Sequence, residues 1–245
     1  MKTDNFITVD AVCYENGKKS VVSQNLIKEK PLVIEAGKFH ANIIRTPEDD
    51  IVFAAGVCFM QKIIETPDQI VSANFYSNAE SDKAIIKFSE AWNENEYKFV
   101  DLKTNFKISV DNAKKCVIKL RSAQALHNKT GSAHATMFFD DKLNPIAFAE
   151  DVGRHNAFDK AIGKVFMEKN LNKAAIAALS CRINSEMINK AIRAGIPIII
   201  GYGKPTSKAV SISLSSGISV AWMGKKGGFF IFTGKNRFIS ETLSD

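Results

Sequence analysis

The stretch 174-AAIAALSCRINSEMINKAIRAGIPIIIGYGKPTSKAV-210 decides the fold. An apolar run at 174–180 reads as a strand, and 184–194 as a helix that stops at Gly195. A second apolar strand follows at 196–202, and another helix opens at Pro205 and closes near Gly217. Strands joined by helices in this way build a parallel sheet covered on both faces. Working outward, 155–169 is a helix with Phe158, Ala161, Ile162, Val165 and Phe166 on one face. Residues 135–139 and 146–149 read as a hairpin, 109–127 as a helix, and 218–223 and 229–233 as closing strands. The expectation for this part is a three-layer α/β domain.

The first part of the chain has another rhythm. β-prone runs at 6–14 and 18–24 flank Asn16-Gly17, a favoured hairpin turn, and 31–36 and 39–45 repeat the pattern around Gly37. Then 46-TPEDD-50 reads as a helix start, with Thr46 as cap and Pro47 in the first turn. The body that follows, 51-IVFAAGVCFMQKII-64, is apolar nearly all round and reads as buried. Strands are expected at 69–76, 83–89 and 96–101. The change of rhythm puts a boundary near residue 105: a smaller, strand-rich α+β part over 1–105 and the α/β domain over 106–245.

Composition bounds the function. The 245 residues carry 33 Lys+Arg against 26 Asp+Glu, a net charge of +7, which favours anionic partners without specifying one. Cys13, Cys58, Cys116 and Cys181 are far apart, so there is neither a Cys-x-x-Cys nor a zinc-ribbon spacing. The N-terminus has no basic-then-apolar signal, and the apolar runs are too short to span a bilayer. The expectation is a soluble cytoplasmic protein with reduced thiols, with no membrane or nucleic-acid partner.

Ligands of α/β sheets gather where strands give way to helices. Four such junctions carry unusual residues. The first, 130-TGSAHAT-136, contains Thr130 and His134. The second, 150-EDVGRHNAFDK-160, crowds Glu150, Asp151, Arg154 and His155 around Gly153, with Lys160 two turns on. Its glycine allows close approach, and its arginine offers a planar fork for phosphate or carboxylate. The third, 180-SCRINSEM-187, places Arg182 at a strand end and Ser185 and Glu186 in the next helix's first turn. The fourth, 203-GKPTS-207, puts lysine and Thr206 before a helix, whose N-terminus already attracts anions. The turn 224-GKKGG-228 adds Gly224, Lys225, Lys226 and Gly227, as a hairpin or as a basic loop over a phosphate. Each junction alone has a local structural reading: Glu150 and Asp151 as caps of helix 155–169, His155 as a solvated first-turn residue, Ser185 and Glu186 as a cap.

Taken together these blocks resemble the FdhD/NarQ family of formate dehydrogenase accessory sulfurtransferases. The segment 150-EDVGRHNAFDKAIG-163 is similar to the family's hallmark motif, and 29–64, with 46-TPEDD-50, to its early block. The segment 130-TGSAHA-135 is similar to its TGG-x-HA, with Ser132 for the second glycine. The segments 180-SCRINSEMINKAIRAGIPII-199 and 205-PTSKAV-210 resemble two further blocks. The resemblance implies a cytidine-deaminase-like fold for the second part, a cytoplasmic location and usually a homodimer. It also implies a sulfur carrier that takes persulfide sulfur from a cysteine desulfurase. That sulfur passes to the bis(molybdopterin guanine dinucleotide) form of the molybdenum cofactor, for the formate dehydrogenase catalytic subunit. Thr130, His134, Asp151, Gly153, Arg154, His155, Lys160, Arg182, Ser185, Glu186, Thr206 and the 224–227 turn are then the expected cofactor contacts, and GDP an analogue.

Two departures bear on activity. The family's sulfur-carrying Cys-x-x-Cys lies ahead of helix 109–127, where this chain reads 101-DLKTNFK-107. Cys181 stands where the family usually has glycine. A persulfide carrier needs an accessible thiolate, so no catalytic residue is assigned. One alternative is a cofactor or guanine-nucleotide binding chaperone that carries no sulfur. Another is a zinc nucleoside deaminase, which needs a Glu two residues after its His or Cys ligand and a P-C-x-x-C. Here Thr136 follows His134 at that spacing, and Asn184 stands where the second cysteine belongs.

Overall fold

The computed structural model describes residues 5–89 and 105–240. It opens with β1 (Phe6–Glu15) and β2 (Lys18–Ile27), antiparallel without a register break. Asn16 and Gly17, both at positive φ, make the turn, as Asn-Gly predicts. Next come β3 (Lys30–Ala36) and β4 (Phe39–Arg45), the buried helix α1 (Asp50–Met60), β5 (Ile70–Tyr76) and β6 (Asp82–Phe88). These strands form a four-stranded sheet in the order β4-β3-β6-β5. The strand expected at 96–101 lies outside the described residues.

The second part runs β7 (Ile108–Ser109), α2 (Val110–Ala123), α3 (Ala125–Thr130), β8 (His134–Phe139), β9 (Pro145–Asp151) and α4 (Arg154–Met167). It continues with β10 (Ile176–Ile183), α5 (Ser185–Ala194), β11 (Ile198–Pro205), α6 (Ser207–Ser216), β12 (Ser219–Met223), β13 (Phe229–Thr233) and β14 (Phe238–Ile239). A six-stranded sheet in the order β13-β12-β11-β10-β8-β9 is parallel across β10, β11 and β12, as the alternation requires, and antiparallel elsewhere. Apolar side chains alternate between its two faces. Ala177, Leu179, Ile199 and Val220 join a cluster with α4, α5 and α6, while Ala178, Ile198, Ile200 and Ala221 join α2. Among the described residues no helix is long and apolar enough to cross a membrane.

The strand-rich part and the α/β part share one core, since the cluster containing Phe158 and Leu179 also holds Leu32, Ile34, Phe53 and Ile86. The seam is α1 against α4. A Cβ on Gly56 would sit 2.1 Å from the Asp159 carbonyl oxygen, and one on Gly163 would sit 2.0 Å from that of Val52. Only glycine lets the two backbones come this close.

Three local expectations are corrected. Thr46 does not cap α1: Asp49 stands at the cap position in a left-handed conformation, without a side-chain cap bond. The helix expected over 109–127 breaks at Gln124 into α2 and α3, and α2 is capped by Ser109. Pro205 ends β11 instead of opening α6, because Thr206 takes the cap by accepting the Ala209 N–H at 3.2 Å.

Candidate anion-binding site at the sheet edge

Strand direction brings the four junctions to one edge of the large sheet. Strands β10, β11 and β12 run parallel and end there, while β8 begins there and β9, antiparallel to it, ends there. The register fixes neighbours: His134 opposite Asp151, and Arg182 opposite Gly203. Arg154 and Arg182 therefore share an edge.

The crowd at 150–155 divides by role. Asp151 is fully buried. One carboxylate oxygen accepts the Gly153 N–H at 2.8 Å and the Asn156 amide at 2.9 Å. The other accepts the Thr46 N–H at 3.1 Å and meets Lys160 Nζ at 2.7 Å. Lys160, also buried, donates to the Thr46 carbonyl at 2.7 Å, and Thr46 Oγ1 accepts the Val152 N–H at 3.2 Å. Asp151 and Lys160, both expected as cofactor contacts, thus face each other inside the protein and staple the turn before α4 to the end of β4. Glu150 accepts the Leu126 and His127 N–H groups at 2.9 Å and caps α3. Burial raises its pKa against those two bonds. Gly153 is held close by its neighbour, since a Cβ there would lie 2.7 Å from the Asn156 amide nitrogen.

This frame leaves Arg154 at the first position of α4 with no ion-pair or hydrogen-bond partner among the described residues, and its Nε is buried and unsatisfied. A buried guanidinium nitrogen without an acceptor is costly, and a bound anion removes the cost. Around it stand His134, His155 and Cys181. Burial lowers the pKa of both histidines, and the Arg154 charge lowers each further. Glu186 opposes this at His155, whose Nε2 it approaches as an ion pair without hydrogen-bond alignment. Burial pushes the Cys181 thiol up to about 11, against the pull of Arg154.

The other expected residues are placed as follows. Arg182, Lys225 and Lys226 are exposed on the same edge. Gly224 to Gly228 is a hairpin turn between β12 and β13, closed by the Gly224 N–H donating to the Gly228 carbonyl at 2.8 Å. Thr130 is spent locally, its hydroxyl donating to the Leu126 carbonyl at 2.8 Å. Ser185 opens α5, whose cap is Asn184, accepting the Met187 N–H at 3.0 Å. Two features escape a sequence reading. Lys204 lies over the Trp222 ring at 4.7 Å, bringing a cation and an aromatic plane to this edge. A cavity of about 830 Å3 opens beside His155 and Glu186, between β4, the end of α1, α4 and α5. Its walls come from segments far apart in the chain. Among the described residues no group of three or more His, Cys, Asp or Glu is arranged to hold a metal ion.

An arginine without a partner among the described residues, set at a helix N-terminus on a basic sheet edge, is an arrangement that attracts anions. Residues 27–239 match the model of the FdhD/NarQ family, and the chain belongs to that family. A Sulfolobus acidocaldarius relative named "Sulfur carrier protein FdhD" is 32% identical over 230 residues, covering 85% of this chain and 89% of that protein. A Methanocaldococcus jannaschii relative named "Protein FdhD" is 32% identical over 208 residues, covering 84% and 87%. The "Crystal structure of a putative formate dehydrogenase accessory protein from Desulfotalea psychrophila" superposes with a TM-score of 0.81, at 20% identity, over 96% of this chain and all of that one.

Proposed function

We propose that this chain binds the bis(molybdopterin guanine dinucleotide) form of the molybdenum cofactor at the edge carrying Arg154, as a cytoplasmic accessory protein of formate dehydrogenase. The observation that carries this is the unsatisfied, buried Arg154 Nε at the start of α4. The donor set fits a nucleotide. Arg154, Arg182, Lys204, Lys225 and Lys226 complement phosphates, while the cavity beside His155 offers apolar surface to a planar ring. Glu150 and Asp151 are engaged inside the protein, whereas Glu186, which pairs with His155, is an exposed acid on the rim.

The proposal includes sulfur transfer to the bound cofactor, with sulfur from a cysteine desulfurase; the names of the relatives, which call them sulfur carrier proteins, support the carrier part of it. A second reading, binding and delivery without sulfur carriage, is favoured by the thiols. Cys58 and Cys116 are buried and pushed up to about 12, Cys181 to about 11, and Cys13 sits on the β1–β2 hairpin instead of the edge.

GDP serves as the probe of the site. Arg154→Ala removes a charge-assisted contact of about 1.5–3 kcal/mol and should weaken GDP binding roughly ten- to a hundredfold by calorimetry. A folded wild type that binds no GDP, or equal affinity in the two proteins, defeats the assignment.

A further inference from the structure

Among the described residues three cationic side chains are buried: Arg45, Lys160 and Arg237. Arg45 is matched by Asp50 and Asp82, and Lys160 by Asp151. Arg237, only 7% exposed, has no acid partner among the described residues. Burial lowers its pKa and no neighbouring carboxylate raises it again, yet a guanidinium keeps its charge at any ordinary pH. A buried charge without a counter-charge is costly.

The surroundings of Arg237 show where a counter-charge fits. Its Nη1 donates to the Gly217 carbonyl at 2.7 Å and to Ser219 Oγ at 3.0 Å. Gly217 is the left-handed residue that ends α6, so this side of the guanidinium meets only the partial negative charge of a helix C-terminus. The other side is unused. Nε is buried without a hydrogen-bond partner, and Nη2 makes no bond among the described residues. Nε and Nη2 together form a flat two-pronged edge spaced for the two oxygens of a carboxylate. A cavity of about 330 Å3 opens beside Arg237, walled by Leu214 and Ile218 together with Gly217, Gly234 and Asn236, and none of its other lining residues is charged. It lies where β12 begins and β13 ends, at the opposite end of the large sheet from the edge that carries Arg154.

We propose that this cavity is a further binding site of the protein, for a monocarboxylate with a short hydrocarbon chain. The carboxylate meets the Nε and Nη2 edge of Arg237, and the chain lies against Leu214 and Ile218. One cation matches one negative charge. A phosphate carries more than one charge near neutral pH and needs more donors than this lining provides. The apolar walls favour methylene groups over water. The site is remote from the edge proposed for the cofactor, and the inference is independent of that reading.

The test is a titration of the full, isotopically labelled chain with sodium butyrate, followed by the backbone amide resonances and compared with sodium chloride at equal ionic strength. Saturable shifts are expected at Gly217 and Gly234, which line the cavity, with Gly153 at the other edge unmoved. 1-Butanol, which has the chain without the charge, and inorganic phosphate, which has the charge without the chain, are both expected to bind more weakly. Asn236→Asp changes an exposed side chain of the lining to a carboxylate of the same size, so the fold is kept and the other amide resonances report it. The new acid supplies the missing counter-charge and repels the ligand, so butyrate binding should weaken roughly tenfold or more. The absence of a saturable shift, shifts at Gly153 in place of Gly217 and Gly234, butanol or phosphate binding as tightly as butyrate, or unchanged butyrate affinity in Asn236→Asp overturns the proposal.

Discussion

Arg154 and Asp151 stand three positions apart and do opposite things. Asp151 has every oxygen occupied inside the protein, while Arg154 has an unsatisfied nitrogen. Their chemistry alone marks both as ligand candidates, and burial separates them. A second buried set, beside Thr46, shows what such charges do for stability. Arg45, fully buried, bonds Asp82 at 2.6 Å and Asp50 at 2.7 Å, and Lys30 also bonds Asp82. Burial alone would raise the Asp82 pKa; hydrogen bonds from Lys30, Arg45 and Ser77 override it and bring it down to about 2. A carboxylate depressed in the folded state contributes stability that is present above the unfolded value, near 3.9, and lost as pH falls toward the folded one. Asp82 should therefore account for about 2 kcal/mol lost between roughly pH 4 and pH 2. Urea midpoints across that window, wild type minus Asp82→Asn, should fall with pH. A flat difference profile would show that the network does not hold the carboxylate charged.

At the scale of elements, α1 against α4 joins the two parts of the chain. Helix propensity by itself predicts that Gly56→Ala stabilises α1 by roughly 1 kcal/mol. The backbone contact predicts the reverse, because the new methyl group has no room beside the Asp159 carbonyl. Overpacking of this kind typically costs about 1–3 kcal/mol or more. A net loss of about 2 kcal/mol is expected by urea denaturation, and a variant as stable as the wild type would mean that the seam yields. Elements were legible in the sequence where the signal was local. Asn16-Gly17 specified its hairpin, Gly195 its helix stop, and the strand-helix alternation after residue 170 its parallel strands. The failures were of another kind. Thr46 looks like a cap because Thr-Pro-Glu-Asp is a good helix start, but its hydroxyl and N–H are claimed by residues more than a hundred positions away.

For the whole molecule, the placement of thiols bears on what the protein carries. With Cys58, Cys116 and Cys181 buried, 101–107 lacking cysteine, and the partly exposed Cys13 on the β1–β2 hairpin away from the sheet edge, incubation of the Cys13→Ser chain with a cysteine desulfurase, cysteine and labelled sulfur should leave it unlabelled. Strong labelling abolished by Cys116→Ser or Cys181→Ser would locate a replacement thiol and restore the sulfur-carrier reading. The sequence by itself determined the α/β class, the family, and the alignment of four chemistry-bearing junctions on one sheet edge. Periodicity and strand direction are local properties that propagate along a parallel sheet by necessity. Only the tertiary structure decided which charges at that edge are free. Asp151, Lys160 and Glu150 were claimed by Thr46, Asn156 and α3, whereas Arg154 was left without an acceptor among the described residues. Such pairings depend on desolvation and on partners distant in sequence, and neither is written in the residues that surround a charge along the chain.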